Sequence, residues 1–143
     1  MSDETPCAVD TSVAVPLLVA SHEAHETVRL WATGRILVLS GHALAETYSV
    51  LTRLPGDARV SPSDAVTLID DNFGENPTLA PDEACVVHRY LASHGISGGA
   101  TYDGLVALAA HQHGLALATR DARARSTYEA VGVQVVVIAG GHQ

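Results

Sequence analysis

An α/β fold is predicted by three features of the chain. Apolar runs of strand length, among them Cys7-Ala8-Val9 and Leu115-Ala116-Leu117-Ala118, alternate with longer stretches of helical periodicity. Glycine and proline stand at the junctions between them. Apolar residues make up 47% of the 143 residues but include only one Phe and one Trp, so the core must be built mainly from Ala, Val and Leu. Such small side chains suit close packing of helices on a parallel sheet.

Taken in order, the pattern places a strand at 6–10, helices at 12–20 and 23–33, a strand at 36–39 and a helix at 41–54. Pro55-Gly56-Asp57 ends that helix. Ser61 then caps a helix over 62–74, with Pro62 in its first turn. A short strand at 77–80 leads to a helix over 81–94, whose Pro81-Asp82-Glu83 start puts acids at the positive end of the dipole. After the Ser97-Gly98-Gly99-Ala100 break come a helix over 101–113, a strand at 115–118, a helix over 121–131 and a strand at 134–138. Gly114 and Gly132 each close a helix just before a strand. Short apolar strands joined through helices imply a parallel sheet covered on both faces, with right-handed crossovers. In such sheets a site forms beyond the carboxyl ends of the strands, where strand order reverses.

Composition removes several function classes. All eight basic residues are arginine, which excludes a Walker-type phosphate lysine, a Schiff-base lysine and the lysine of a phospho-acceptor receiver domain. A phosphatase of the haloacid dehalogenase type would need a second Asp where Ser12 stands, and a lysine as well. The formal net charge of −8 argues against broad electrostatic attraction to nucleic acid, so any RNA contact must use local arginines, a metal or a partner chain. Cys7 and Cys85 have no CxxC or CxxH companion, as expected of buried thiols in a reducing compartment. No apolar run reaches the roughly 18–20 residues of a membrane span, and the start Met1-Ser2-Asp3-Glu4 is acidic, so the expectation is a cytoplasmic protein.

The chemistry-bearing residues are four carboxylates at the edges of apolar elements: Asp10 after the first strand, Glu46 within the third helix, Asp103 opening the helix over 101–113, and Asp121 after the strand at 115–118. Each also has an ordinary reading. Asp10 and Asp121 can cap the helices that follow them, Asp103 can complement a helix dipole, and Glu46 can be a solvated helix residue. If the sheet gathers all four, their mutual repulsion calls for a hard divalent cation such as Mg²⁺ or Mn²⁺, which prefers oxygen ligands. That set points to metal-dependent phosphodiester chemistry. Arg120, Arg123 and Arg125 cluster beside Asp121, where they can grip phosphate or pair with surface acids. The histidines carry no metal motif. His22 and His25 share a helix face, His111 and His113 do not, and His142 belongs to the tail. Trp31 and Tyr48 read as core or interface residues.

Asp10-Thr11-Ser12-Val13 after an N-terminal strand, the mid-helix Glu46, and Tyr102-Asp103-Gly104-Leu105 leading to Leu117-Ala118-Thr119-Arg120-Asp121 together resemble the PIN-domain nucleases. More narrowly, they resemble the VapC toxins of type II toxin-antitoxin systems. The resemblance covers essentially the whole chain and implies that residues 1–143 form a single PIN domain. It implies a three-layer fold with a central parallel sheet in the order 3-2-1-4-5, Mg²⁺ or Mn²⁺ as cofactor, and hydrolysis of single-stranded or loop RNA. Asp10, Glu46, Asp103 and Asp121 match the family's four acidic positions, with Asp10, Asp103 and Asp121 as metal ligands. Thr11, Ser12 and Thr119 match positions where hydroxyl side chains support the metal shell. The implied partners are a VapB-type antitoxin and a second copy of the chain, with an apolar groove around Leu17, Leu18, Leu30 and Trp31 as the candidate antitoxin surface. Few basic residues favour a shaped RNA loop, as in tRNA or rRNA, over long backbone tracking. The rival reading is a catalytically weak PIN fold that only binds protein; metal-dependent RNA cleavage separates the two.

Overall fold

A computed structural model describes residues 5–138; His142 and the acidic start lie outside them. The first strand, β1 (Cys7–Val9), is followed directly by α1 (Thr11–Leu18), because Asp10 has extended backbone and its carboxylate accepts the Ser12 N–H as a helix cap. Next come α2 (His25–Ala32), β2 (Leu37–Leu39) and α3 (Ala43–Thr52). A 3-10 turn at Gly56–Ala58 then leads to α4 (Pro62–Asn72), with the Ser61 hydroxyl capping its start as expected. The chain continues through α5 (Pro81–Ala84), α6 (Val87–Ser93), α7 (Ala100–Gln112), β3 (Leu117–Thr119), α8 (Arg125–Val131) and β4 (Val135–Val137). Gly114 and Gly132 take positive φ after α7 and α8, closing those helices in the way their positions predicted.

All strand pairs are parallel, and the sheet order is β2-β1-β3-β4. Ala8 lies opposite Val38 on one side and Leu117 on the other, while Leu117 lies opposite Val135. This is the anticipated 3-2-1-4-5 order without its outermost member: the strand expected at 77–80 does not form. Its place along β2 is taken by irregular chain in which Gly74 N–H donates to the Leu37 carbonyl. The Asn76 side chain accepts the Leu39 N–H at 2.7 Å, and the Pro77 carbonyl accepts from Gly41. The Leu39 N–H thus finds a side-chain acceptor where a paired strand would have offered a carbonyl, and Pro77, with no N–H, cannot donate to a ladder.

The helix expected over 81–94 is likewise two pieces. The chain bends at Cys85–Val86, where two successive valines disfavour helix and the Cys85 thiol bonds back to the Pro81 carbonyl; against expectation this thiol is exposed and Cys7 only partly buried. A third difference is the start of α8 at Arg125 rather than at 121, with Asp121 holding a turn ahead of it.

Helices flank the sheet. One group packs α1 against α2 and α3, with α4 on α3; at the other end α7 packs on α8. The core is as rich in small residues as the composition required: Ala8, Ala14, Ala43, Ala65, Ala107, Ala109, Ala110 and Ala118 are fully buried beside Val9, Val13, Val28, Leu39, Leu51 and Leu117. Each buried Val or Leu contributes roughly 1.5–3 kcal/mol relative to exposure. In α3 the buried face is Ala43, Thr47 and Leu51, leaving Leu44 and Tyr48 partly open. No helix among the described residues is long and apolar enough to cross a membrane.

Candidate carboxylate site

Strand order reverses between β1 and β3, which are neighbours, so the residues at their carboxyl ends meet on one rim. Asp10 N–H donates to the Ala118 carbonyl, placing the end of β1 beside Thr119. Asp10 is only 5% exposed, and Thr119 is fully buried. One Asp10 carboxylate oxygen accepts the Ser12 N–H at 3.0 Å and the Ser12 hydroxyl at 2.6 Å. The other accepts the Tyr128 hydroxyl at 2.7 Å. The capping role of Asp10 and its place on the rim are therefore the same arrangement.

Ser12 ties the strands together further. Its hydroxyl oxygen lies 3.3 Å from that of Thr119 and accepts the Arg120 N–H at 2.8 Å. Thr119 in turn accepts the Asp121 N–H at 3.0 Å, and the Asp121 carboxylate accepts the Arg123 N–H at 3.0 Å. Ser12 and Thr119 thus brace the backbone that carries Asp10 and Asp121. On the open side, Thr11 donates to Glu46 at 3.2 Å and lies 3.3 Å from the hydroxyl of buried Thr47. Asp103 stands in the first turn of α7 and is half-buried.

The other three acids act on Asp103. Burial pushes the Asp103 carboxyl above its ordinary range, and the negative charges of Asp121, Asp10 and Glu46 push it the same way, with only Arg123 opposing them. Asp10 is also raised, because burial outweighs the hydrogen bonds from Ser12 and Tyr128. Tyr128 is held strongly in its protonated form by burial and by the Asp10 charge, so its hydroxyl is a donor. Among the described residues no three acidic, imidazole or thiol groups lie close enough together to hold a metal ion as they stand. The rim instead holds a loose carboxylate set with oxygen donors only, its repulsion offset in part by Arg123. Such a donor set fits a hard divalent cation.

The arginines divide. The Arg123 side chain is almost fully exposed and lies 3.7 Å from Asp121. Arg125 bonds Glu129 at 2.8 Å as a surface pair one turn along α8. Arg120 is partly buried, and its Nε has no hydrogen-bond partner. Three of the histidines singled out in the sequence take structural partners: His22 accepts from Ala24 N–H, while His25 and His113 bond the Pro16 and Thr78 carbonyls.

Four residues on this rim escaped the sequence reading: Tyr128, Thr47, His42 and Tyr102. A signal for Tyr128 existed. Ala124, Tyr128 and Val131 recur at helical spacing on the buried face of α8, and a buried tyrosine needs a partner for its hydroxyl. His42 and Tyr102 stack with ring centroids 5.1 Å apart. Nothing in the sequence joins those two positions.

The PIN domain family model matches residues 7–130. Ribonuclease VapC27 of Mycobacterium tuberculosis is 56% identical over 134 residues, covering 94% of this chain and 98% of that protein. Two solved structures share the fold. FitAB bound to IR36 DNA has a TM-score of 0.65 at 22% identity, over 97% of this chain and 99% of that one. VapC20 of Mycobacterium tuberculosis, described as a sarcin-ricin loop cleaving toxin, has a TM-score of 0.59 at 24% identity, over 85% and 94%.

Proposed function

The chain belongs to the PIN-domain family and is a ribonuclease toxin of the VapC kind; on that premise we propose that it cuts RNA at the Asp10, Glu46, Asp103 and Asp121 rim with Mg²⁺ or Mn²⁺ as cofactor. The observation that supports this reading is the adjacency of β1 and β3 at the point where strand order reverses, which puts Asp10 beside Thr119 and the turn that holds Asp121. The upward push of Asp121, Asp10 and Glu46 on the Asp103 carboxyl, secondary to its burial, agrees with this placement.

In this reading Asp10, Asp103 and Asp121 hold the cation and Glu46 orients the attacking water. The bound ion would activate water and offset the charge that develops at phosphorus. The remaining work belongs to the chain. Ser12 and Tyr128 fix both oxygens of Asp10, so this ligand keeps its orientation without rearrangement. Thr119 fixes the backbone of Asp121. Thr11 sets the carboxylate of Glu46, which stays exposed and can accept a proton from water. Arg123, almost fully exposed and 3.7 Å from Asp121, is the candidate phosphate contact, with Arg120 and Arg125 in supporting positions.

Residues 1–143 act in this proposal as one PIN domain, as a homodimer in the cytoplasm. Of the groove expected around Leu17, Leu18, Leu30 and Trp31, only Leu30 is well exposed, the other three packing against the core; a VapB-type antitoxin neutralises the protein by laying an apolar segment instead over the hollow of Leu44, Tyr48 and Val66. An antitoxin arginine reaching the acids would replace the cation's charge. The substrate is a structured RNA loop, of tRNA or rRNA, because eight arginines against sixteen acids cannot support long backbone tracking.

The test is cleavage of total cellular RNA by the purified protein with Mn²⁺, Mg²⁺ or chelator, with the ends mapped by sequencing. Discrete metal-dependent ends in loops are expected. Metal-independent cutting would remove the cofactor assignment, and uniform degradation would remove the loop assignment.

A further inference from the structure

The chain has six Phe, Trp and Tyr residues, and five of them have evident structural employment. Tyr128 bonds Asp10, and Phe73 is buried. Trp31 lies under the Arg35 guanidinium, Tyr90 stacks on His94, and Tyr48 lines an apolar hollow with Leu44 and Val66. Tyr102 is different. It is 55% exposed on the first turn of α7, immediately before Asp103, and among the described residues its ring contact is His42 alone.

The two rings lie 29° from parallel with centroids 5.1 Å apart, within the usual range for an offset stack. His42 directly precedes α3, and its carbonyl accepts the Glu46 N–H one turn on. The stack therefore spans the two elements that carry Glu46 and Asp103, on the open side of the acid rim. Its base is rigid. Gly41 has φ +52°, and a Cβ there would lie 3.0 Å from the Ala109 Cβ, so the loop before α3 sits hard against α7. The Ser40 hydroxyl also donates to the Val106 carbonyl at 2.6 Å. An exposed π surface held this firmly beside an acidic site contributes little to the core.

We propose that the His42–Tyr102 stack is a shelf for one nucleobase of the RNA strand, next to the phosphate that lies over the carboxylate rim. The inference rests on the ribonuclease reading above and adds a base-binding position to it. Stacking suits this chain in particular. Every base has a π face, and stacking needs no positive charge, which the protein lacks. The shelf positions RNA and takes no part in bond breaking.

The experiment uses the full-length protein and a short single-stranded RNA carrying one 2-aminopurine, whose fluorescence falls when it stacks, at two salt concentrations. Tyr102→Ala should weaken binding about 5- to 150-fold, the range measured for loss of one base stack, and should abolish the quench. Tyr102→Phe and Tyr102→Trp should retain both, whereas Tyr102→Leu should behave like Tyr102→Ala. The weakening should be equal at low and high salt, unlike that from Arg123→Ala. In cleavage assays the loss should fall on KM more than on kcat. Thermal unfolding of each variant should match the parent, since the ring is solvent-exposed. Unchanged quenching in Tyr102→Ala, or full binding by Tyr102→Leu, would overturn the shelf and leave the ring pair as packing between the loop and α7. A parent protein that quenches the probe but cleaves no RNA would overturn the ribonuclease reading and not the shelf.

Discussion

Asp10 and Glu46 stand on the same rim of the sheet, yet Asp10 is 5% exposed with donors on both oxygens, whereas Glu46 is open to solvent with one hydrogen bond, from Thr11. The first belongs to a buried half of the site formed by the ends of β1 and β3 and by α8. The second belongs to an open half formed by the starts of α3 and α7. A buried carboxylate costs several kcal/mol unless it is hydrogen-bonded, so the buried half must be ordered before anything binds. The open half bears no such constraint. The division suits a site that fixes one ligand in advance and leaves room for a polymer to enter.

The largest effect should come from the charges themselves. Asp103→Asn and Asp10→Asn should each lower cleavage by more than about a hundredfold, since even side chains that only support metal ligands are worth roughly 10–100-fold. In chelator the two halves should separate: Asp103→Asn should be at least as stable as the parent, because it removes a mutually repelling charge. Asp10→Asn should be less stable, because its amide cannot accept from all three donors that the carboxylate satisfies. Equal melting temperatures for the two variants would erase the distinction.

Tyr128→Phe is a narrower probe of the buried half. Loss of a hydroxyl bonded to a buried carboxylate should cost about 1.5–3 kcal/mol in urea unfolding and roughly 10–100-fold in cleavage. Glu46→Gln should also depress cleavage but shift stability by less than about 0.5 kcal/mol, as an exposed side chain does. If Glu46→Gln destabilised the protein as much as Tyr128→Phe, the two halves would not differ in order.

The smallest effect is a pH slope. For Asp103 and Asp10 the folded carboxyls hold protons more tightly than the unfolded ones, so between the usual carboxylate pKa of about 4 and their raised values the folded state binds more protons. Stability without metal should therefore fall as pH rises through that window. Asp103→Asn should flatten the fall, and saturating Mn²⁺ should reverse it, because the cation favours the deprotonated folded form. Following the melting temperature between about pH 4 and pH 7 in buffers of constant ionic strength tests this.

Much of this was legible in the chain. Period and punctuation fix the element types, because strand and helix bury different spacings of apolar residues. The residues at the carboxyl ends of the parallel strands follow from that order, which is why Asp10, Thr119 and Asp121 can be placed from sequence. The scarcity of large aromatics likewise requires the alanine-rich core that is observed. Tertiary structure decided what depends on contacts between distant positions. It replaced the strand at 77–80 with irregular chain, because a proline and a side-chain amide lie along β2. It paired Tyr128 with Asp10 across 118 positions and His42 with Tyr102 across two helix starts. A local pattern reports which face of an element is buried. It carries no information about which partner that face meets, and hydrogen bonds and ring stacks form only between partners.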